Sequence, residues 1–157
     1  MLSLIPSNIF CEKAALVALK SPMQQKHGCV IVYNNSKIIA EGYNYAYEYM
    51  IKWETIFSIH AEIDAINKLK NILKNKSKDY IKKCTMYVVR IGTCNQNYPL
   101  KLSCPCDNCQ NAINSIGIPR VCYSIDDDII GEEYIPTYLR QRYKKKRRTP
   151  KYKEQST

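Results

Sequence analysis

The chain alternates between stretches whose apolar residues recur every three or four positions and stretches that are apolar nearly throughout. Residues 8–20, NIFCEKAALVALK, set Ile9, Ala14, Leu16, Val17 and Leu19 in a loosely helical pattern that closes at Ser21-Pro22. Proline cannot continue a helix and biases the preceding residue away from helical geometry. CVIVYNNSKIIAEGYN (29–44) holds two β-rich runs around Asn34-Asn35-Ser36 and predicts a hairpin. The clearest helix is IHAEIDAINKLKNILK (59–74). Ile63, Ile66, Leu69 or Lys70, and Leu73 mark its inner face, and Asp64, Lys68 and Asn71 are expected to face away. TMYVVRI (85–91) has the length and composition of a strand buried on both sides. CDNCQNAINSIGIP (106–119) predicts a helix ending at Gly117, with Pro119 just beyond. RVCYSI (120–125) is a second buried strand, DDDIIGEE (126–133) a turn, and YIPTYLRQRYKKKRR (134–148) leads, with some helical character, into a basic tail. The order α-β-β-α-β-α-β, with two helices each leading from one strand to the next, predicts an α/β fold whose mixed or parallel sheet is sandwiched by helices. There is no internal repeat.

A chain of 157 residues can bury roughly two-thirds of its unfolded surface and needs no disulfide staples. The N-terminus, MLSLIPSNIFCEK, lacks a basic start and a continuous apolar run, so no signal peptide is expected. No apolar stretch approaches the ~18 residues of a membrane span. The expected setting is intracellular and cytoplasmic, with thiols mostly reduced and no membrane partner. Eight cysteines then point to metal ligation or catalysis more than to disulfides.

The formal charge of +10 is unevenly placed. Residues 140–157 carry nine Lys/Arg against the single acid Glu154, while residues 1–139 hold 15 Lys/Arg against 13 Asp/Glu. This predicts a nearly balanced domain over 1–139 and a separate basic tail over 140–157. The plain reading of the tail is a solvated terminus. The sharper ones are a nuclear-import patch and a sequence-blind grip on nucleic-acid phosphates. The excess of Lys, Ile, Asn and Tyr, with 13 Tyr against 2 Phe, reflects codon bias more than chemistry.

The chemistry gathers at two helix starts. Cys106 and Cys109 are three apart where the 106–119 helix opens, so their sulfurs share a face. The helix N-terminus favours the thiolate that binds metal, and Pro105 precedes it where a missing N–H costs nothing. His60 opens the other strong helix, and helix starts at one edge of a sheet can face each other across a cleft. His60, Cys106 and Cys109 would supply three ligands and leave one position open, the count of a catalytic zinc. Glu62, two residues on, can take a proton from water at that position. His60-Ala61-Glu62 and Pro105-Cys106-Asp107-Asn108-Cys109 match the H-x-E and P-C-x-x-C signature of zinc deaminases.

On these motifs the chain resembles the cytidine and deoxycytidylate deaminase superfamily, over roughly residues 8–125. The KHGCVIVYNNSKIIAEGYN hairpin and the strands TMYVVRI and RVCYS are similar to that family's segments around the two motifs. The resemblance implies a three-layer α-β-α sandwich with a five-stranded mixed sheet, and a homo-oligomer. It implies zinc on His60, Cys106 and Cys109, Glu62 as the proton carrier, and substrate contacts from Asn44 and the backbone of Ala61. The implied reaction releases ammonia from a cytosine nucleotide, a small-molecule substrate, to leave the uracil nucleotide, with dCMP to dUMP favoured.

Other readings stand beside this one. Cys104 could complete a structural Cys₃His zinc, although Glu62 would then have no purpose. A thioredoxin-like redox pair lacks its usual flanking residues. A tRNA or single-stranded DNA or RNA deaminase gripping its polymer with the basic tail is the main functional alternative, and a non-catalytic zinc fold a lesser one. The 46 residues from His60 to Cys106 exceed the gap of the tRNA enzymes. Cys11, Cys29, Cys84 and Cys122 read as packing residues, and no second metal is expected at His27 and Cys29. Tyr43, Tyr45, Tyr47 and Tyr49 read as a Tyr-rich, half-exposed loop, with a stacking platform for a base as the sharper option. Trp53 is a pocket wall or core filler. Lys26, Lys52 and Arg90 are the candidates for a phosphate contact.

Overall fold

A computed structural model describes residues 9–48, 56–92, 100–126 and 135–136 of the chain. The expectations for Tyr49, Lys52, Trp53, residues 127–134 and the 140–157 tail lie outside the described residues.

The elements follow in the order α1 (Ile9–Ala18), β1 (Lys26–Tyr33), β2 (Lys37–Tyr43), β3 (Tyr45–Glu48), β4 (Ile56–Ile59), α2 (Ala61–Leu73), β5 (Cys84–Ile91), β6 (Leu100–Lys101), α3 (Asp107–Ile116), β7 (Arg120–Tyr123) and β8 (Ile135–Pro136). The main sheet runs β2-β1-β5-β7-β8, with the short β6 also paired to β5. Every pairing is antiparallel except β5–β7, which α3 connects as a parallel crossover. The five-stranded mixed sheet and the α-β-α layering are as the resemblance implied.

Strand alternation sorts the two layers. Val30 and Val32 of β1 with Tyr87, Val89 and Ile91 of β5 pack against Cys11, Ala14, Ala15, Val17 and Ala18 of α1. Cys29 and Ile31 with Met86, Val88, Val121 and Tyr123 form the other core, against Ala61, Ala65, Ile66 and Leu69 of α2 and Ile113 of α3. Cys11, Cys29 and Cys84 are buried and Cys122 half-buried, in keeping with packing roles.

Four expectations need correction. In α1 the large residues do not form the inner face. Ile9 and Leu16 are 57% and 55% exposed, and Leu19 is exposed as well. Gly28 explains this, because any Cβ there would collide with the backbone of Ala14 and Ala18. At Ala14 and Ala18 the helix lies so close to β1 that only small side chains fit at that crossing. In α2, Asp64 faces inward and is buried, accepting a hydrogen bond from the Tyr43 N–H (3.2 Å) and pairing with Lys68 (2.9 Å). The Tyr-rich segment is not a loop. β3 pairs with β4 in antiparallel register, Tyr45 opposite Ile59 and Tyr47 opposite Phe57. Its Tyr-x-Tyr alternation is the period of a strand, and aromatic residues favour strands. Lastly, Ile135–Pro136 is extended and pairs with β7, so this part of the lead into the tail is strand and not helix.

The predicted 34–36 turn forms with both Asn34 (φ 50°) and Asn35 (φ 52°) in the left-handed region that asparagine tolerates. Gly117 closes α3 at φ 89°, its N–H donating to the carbonyls of Ile113 and Asn114. No described helix is long and apolar enough to cross a membrane.

Candidate metal centre

Two helices begin at a candidate ligand. His60 is the N-cap of α2, and its carbonyl accepts the Asp64 N–H at 3.0 Å. Cys106 is the N-cap of α3, where its sulfur accepts from the Cys109 N–H (3.5 Å) and its carbonyl from the Gln110 N–H (2.8 Å). The positive ends of both helix dipoles therefore converge where thiolates are wanted.

Gly42 sets the position of α2. A Cβ on it would strike the backbone of Ala61 and Ala65, so the first turn of the helix rests directly on β2. Asp64 ties the same turn to the Tyr43 N–H. The cysteine side is fixed by a serine pair. The Ser103 hydroxyl donates to the Val88 carbonyl (2.7 Å), the Ser103 N–H to the Ser124 carbonyl (2.9 Å), and the two hydroxyls lie 2.8 Å apart. Both serines are buried, so these bonds are well shielded and hold the approach to α3 onto the ends of β5 and β7.

His60 Nδ1 lies 3.3 Å from Cys109 Sγ and 3.6 Å from Cys106 Sγ. Among the described residues these three form the single cluster of His, Cys and acidic groups suited to a metal, with all donor atoms within 4.8 Å of one another. Tetrahedral zinc with ordinary Zn–S and Zn–N lengths would hold sulfur and nitrogen about 3.6 Å apart. The observed spacings fit zinc. Burial, followed by the negative charge of Glu62, pushes the Cys109 thiol far up; a divalent cation between these groups would reverse that repulsion. Cys104 stays outside the cluster, and His27 and Cys29 form no second one.

The ligands open onto a cleft of about 470 Å³. Its walls include Met23, Gln25, His27, Asn44, Glu62 and Cys104. Glu62 is only 4% exposed yet reaches this wall. Ala61, the first residue of α2, also lines it, and the N–H groups of a first helical turn have no partner within the helix. Asn44 is buried. Its Oδ1 accepts the His27 N–H and its Nδ2 donates to the Gln25 carbonyl, both at 2.7 Å. Its carbonyl accepts the Ser21 hydroxyl at 2.7 Å. Each half of the amide keeps one further bonding site for a ligand. The structure thus brings His60, Ala61, Glu62, Cys106 and Asn44 to one cleft, with Cys109 buried beside His60.

Sequence reasoning assigned no role to Met23, Gln25, Ser58 or Ser103, all of which line the cleft. Ser58 arrives on β4, and its signal, the apolar run IFSI, merges in the sequence with the start of α2.

The fold is similar to two solved structures. A dCMP deaminase from the cyanophage S-TIM5 superposes with TM-score 0.53 at 23% identity, covering 78% of this chain and 84% of the other. A cytidine deaminase from Burkholderia pseudomallei superposes with TM-score 0.54 at 16% identity, covering 85% and 92%. No curated protein matches the sequence. The sequence profile of the cytidine and deoxycytidylate deaminase zinc-binding region matches residues 7–125, three-quarters of the chain. With that match over a cleft built around His60, Cys106 and Cys109, the chain belongs to the cytidine and deoxycytidylate deaminase family, with its zinc-binding region.

Proposed function

We propose that the protein hydrolyses dCMP to dUMP and ammonia. The observation that carries this is the buried carboxylate of Glu62 on the cleft wall, two residues from His60 and within the electrostatic reach of Cys109. A structural zinc site would have no use for it.

Zinc held by His60, Cys106 and Cys109 would supply Lewis acidity and a water made acidic enough to ionise near neutral pH. Glu62 takes a proton from the water and delivers it to the ring nitrogen beside the carbon under attack. The water oxygen bonds to that carbon and the C–N bond to the exocyclic amine breaks. Glu62 carries the oxygen's second proton to the departing amine, so water and dCMP become dUMP and ammonia. Ala61 lines the same cleft, and its N–H is assigned to the base. The remaining capacity of Asn44 is assigned to the sugar.

The preference for a free nucleotide rests on the near-balanced charge of residues 1–139 and on a cleft of small-molecule size. It is also consistent with the activity named for the cyanophage protein of the same fold. Ammonia release from dCMP, CMP, deoxycytidine and cytidine, run in parallel with zinc-loaded protein, tests it. The expected result is turnover of dCMP well above the other three. Turnover of single-stranded DNA or tRNA, with all four free compounds intact, would replace this reading by that of a polymer deaminase.

A further inference from the structure

We propose that the end of the sheet opposite the cleft is a sequence-blind docking surface for single-stranded nucleic acid, built on exposed lysines and the Tyr33–Tyr80 stack. The inference goes beyond the deaminase reading and does not rest on it. A strand held there lies away from the cleft and is a partner, not a substrate.

The placement follows from register. Lys37 at the start of β2 lies opposite Tyr33 at the end of β1, and Tyr33 opposite Cys84 at the start of β5. Arg120, which opens β7, lies opposite Thr85. These residues share one end of the sheet. The 74–83 segment, KNKSKDYIKK, reaches that end from the last turn of α2, and its Lys83 carbonyl accepts the Asn34 N–H of the hairpin turn at 2.9 Å. Its backbone is held by its own turns. The N–H groups of Lys76, Tyr80 and Lys83 donate to the carbonyls of Leu73, Ser77 and Tyr80 at 3.0–3.1 Å. His60 and the cleft lie at the other end of α2, about 20 Å away for a helix of 13 residues.

The charge of residues 1–139 balances only on average. Six lysines of the 70–83 segment, with Lys37 and Arg120, place eight of the 15 Lys/Arg here, against Asp79 alone of the 13 acids. All eight are exposed. Among the described residues Lys82 alone of them has an acidic partner, Asp79 at 2.6 Å. The dipole of α2 accounts for Lys70 and Lys74 in its last turn and cap, but not for the lysines beyond. Unpaired like charges on an ordered segment form a field that suits a polyanion. The aromatic pair narrows the class of partner. Tyr80 stacks on Tyr33 with centroids 4.0 Å apart and planes at 7°, and the Lys76 ammonium lies 5.3 Å above the Tyr80 ring. Rings set among lysines serve stacked bases and the phosphates between them, whereas an acidic peptide would use the charge alone. A membrane surface would need large apolar residues beside the cations. The exposed ones, Ile9, Leu16 and Leu19, belong to α1 and its end, on the other face of the sheet.

The experiment measures binding of a fluorescent oligothymidylate of about 20 nucleotides, longer than a single-strand site and free of cytosine, across a salt series. The full chain is used throughout, so that any contribution of the 140–157 tail is common to every variant. Lys76→Gln/Lys78→Gln is compared with Lys13→Gln/Lys20→Gln, which removes the same charge from α1 and its end. The patch pair should weaken binding about tenfold and flatten the slope of log K against log salt by about 1.4, or about 0.7 for each lost phosphate contact. The α1 pair should leave both close to wild type. Tyr80→Leu should weaken binding about tenfold with the slope unchanged, as for the loss of a stacked base. Far-UV circular dichroism establishes that each variant is folded; if Tyr80→Leu is not, the two lysine pairs decide. Equal losses in the two pairs, or no loss in the patch pair, would overturn the surface and leave the deaminase reading standing. Oligoglutamate or phosphatidylserine vesicles that displace the oligonucleotide at equal charge concentration would overturn the assignment to nucleic acid.

Discussion

The two faces of the β1–β2 hairpin use one packing device for different ends. On one face Gly28 lies against the backbone of Ala14 and Ala18 in α1; on the other Gly42 lies against Ala61 and Ala65 in α2. In each case a glycine meets alanines four apart, which share a helix face. The contact on α1 falls in the second half of that helix and supports a core of Cys11, Val30, Val32 and Val89. The contact on α2 falls on its first residue, beside the N-cap His60 and ahead of Glu62. Close approach in the first case builds scaffold. In the second it fixes, within one residue, a metal ligand and the proposed proton carrier. What a tight contact does for function depends on where along the helix it falls.

The comparison can be broken in order of expected effect. His60→Ala removes an exposed side chain that the core does not need, so the far-UV circular dichroism should stay native-like. Bound zinc should fall from about one per chain to near none, with no measurable ammonia release. Next come the two glycines. Gly28→Ala and Gly42→Ala should each destabilise by about 1–3 kcal/mol through overpacking, read as a lower midpoint in denaturant. They should differ in metal binding, because Gly42→Ala displaces His60. In chelator competition its zinc affinity should drop about tenfold or more, while Gly28→Ala keeps wild-type affinity at temperatures where it is folded. Equal zinc affinities would contradict the assignment of the two faces. The smallest effect belongs to the tail. Deleting residues 140–157 should leave kcat/KM for dCMP within about twofold, because the proposed chemistry draws only on residues 44–109 and the residues before 140 are nearly balanced in charge. A steep loss would give the tail a part in substrate capture.

Much of this was legible in the sequence because the informative features are short-range. The N-cap positions of His60 and Cys106 follow from where apolar periodicity begins, and Gly117 from the stop it imposes. The strands around α3 are runs apolar enough to be read without alternation. What escaped depends on distant partners. The inner face of α1 is set by Gly28, ten residues beyond the helix, so the largest side chains were the wrong guide. Asp64 looked like a solvent residue by helical period, yet the unpaired N–H of Tyr43 draws it inward. The β3–β4 pair was hidden because Ile56–Ile59 runs without a break into the helix start. Asn44 was named only through the family resemblance, and its clamp on Gln25 and His27 depends on residues that the fold brings to it.

The central claim is that the cluster at the two helix starts is a catalytic zinc site in which Glu62 moves the protons. The most direct measurement is zinc content and ammonia release from dCMP in the same preparation of Glu62→Gln, beside wild type. The expected result is one zinc per chain in both proteins and a fall in kcat on the order of a thousandfold in the variant. Glu62→Gln that keeps its zinc and turns over dCMP at the wild-type rate would contradict it.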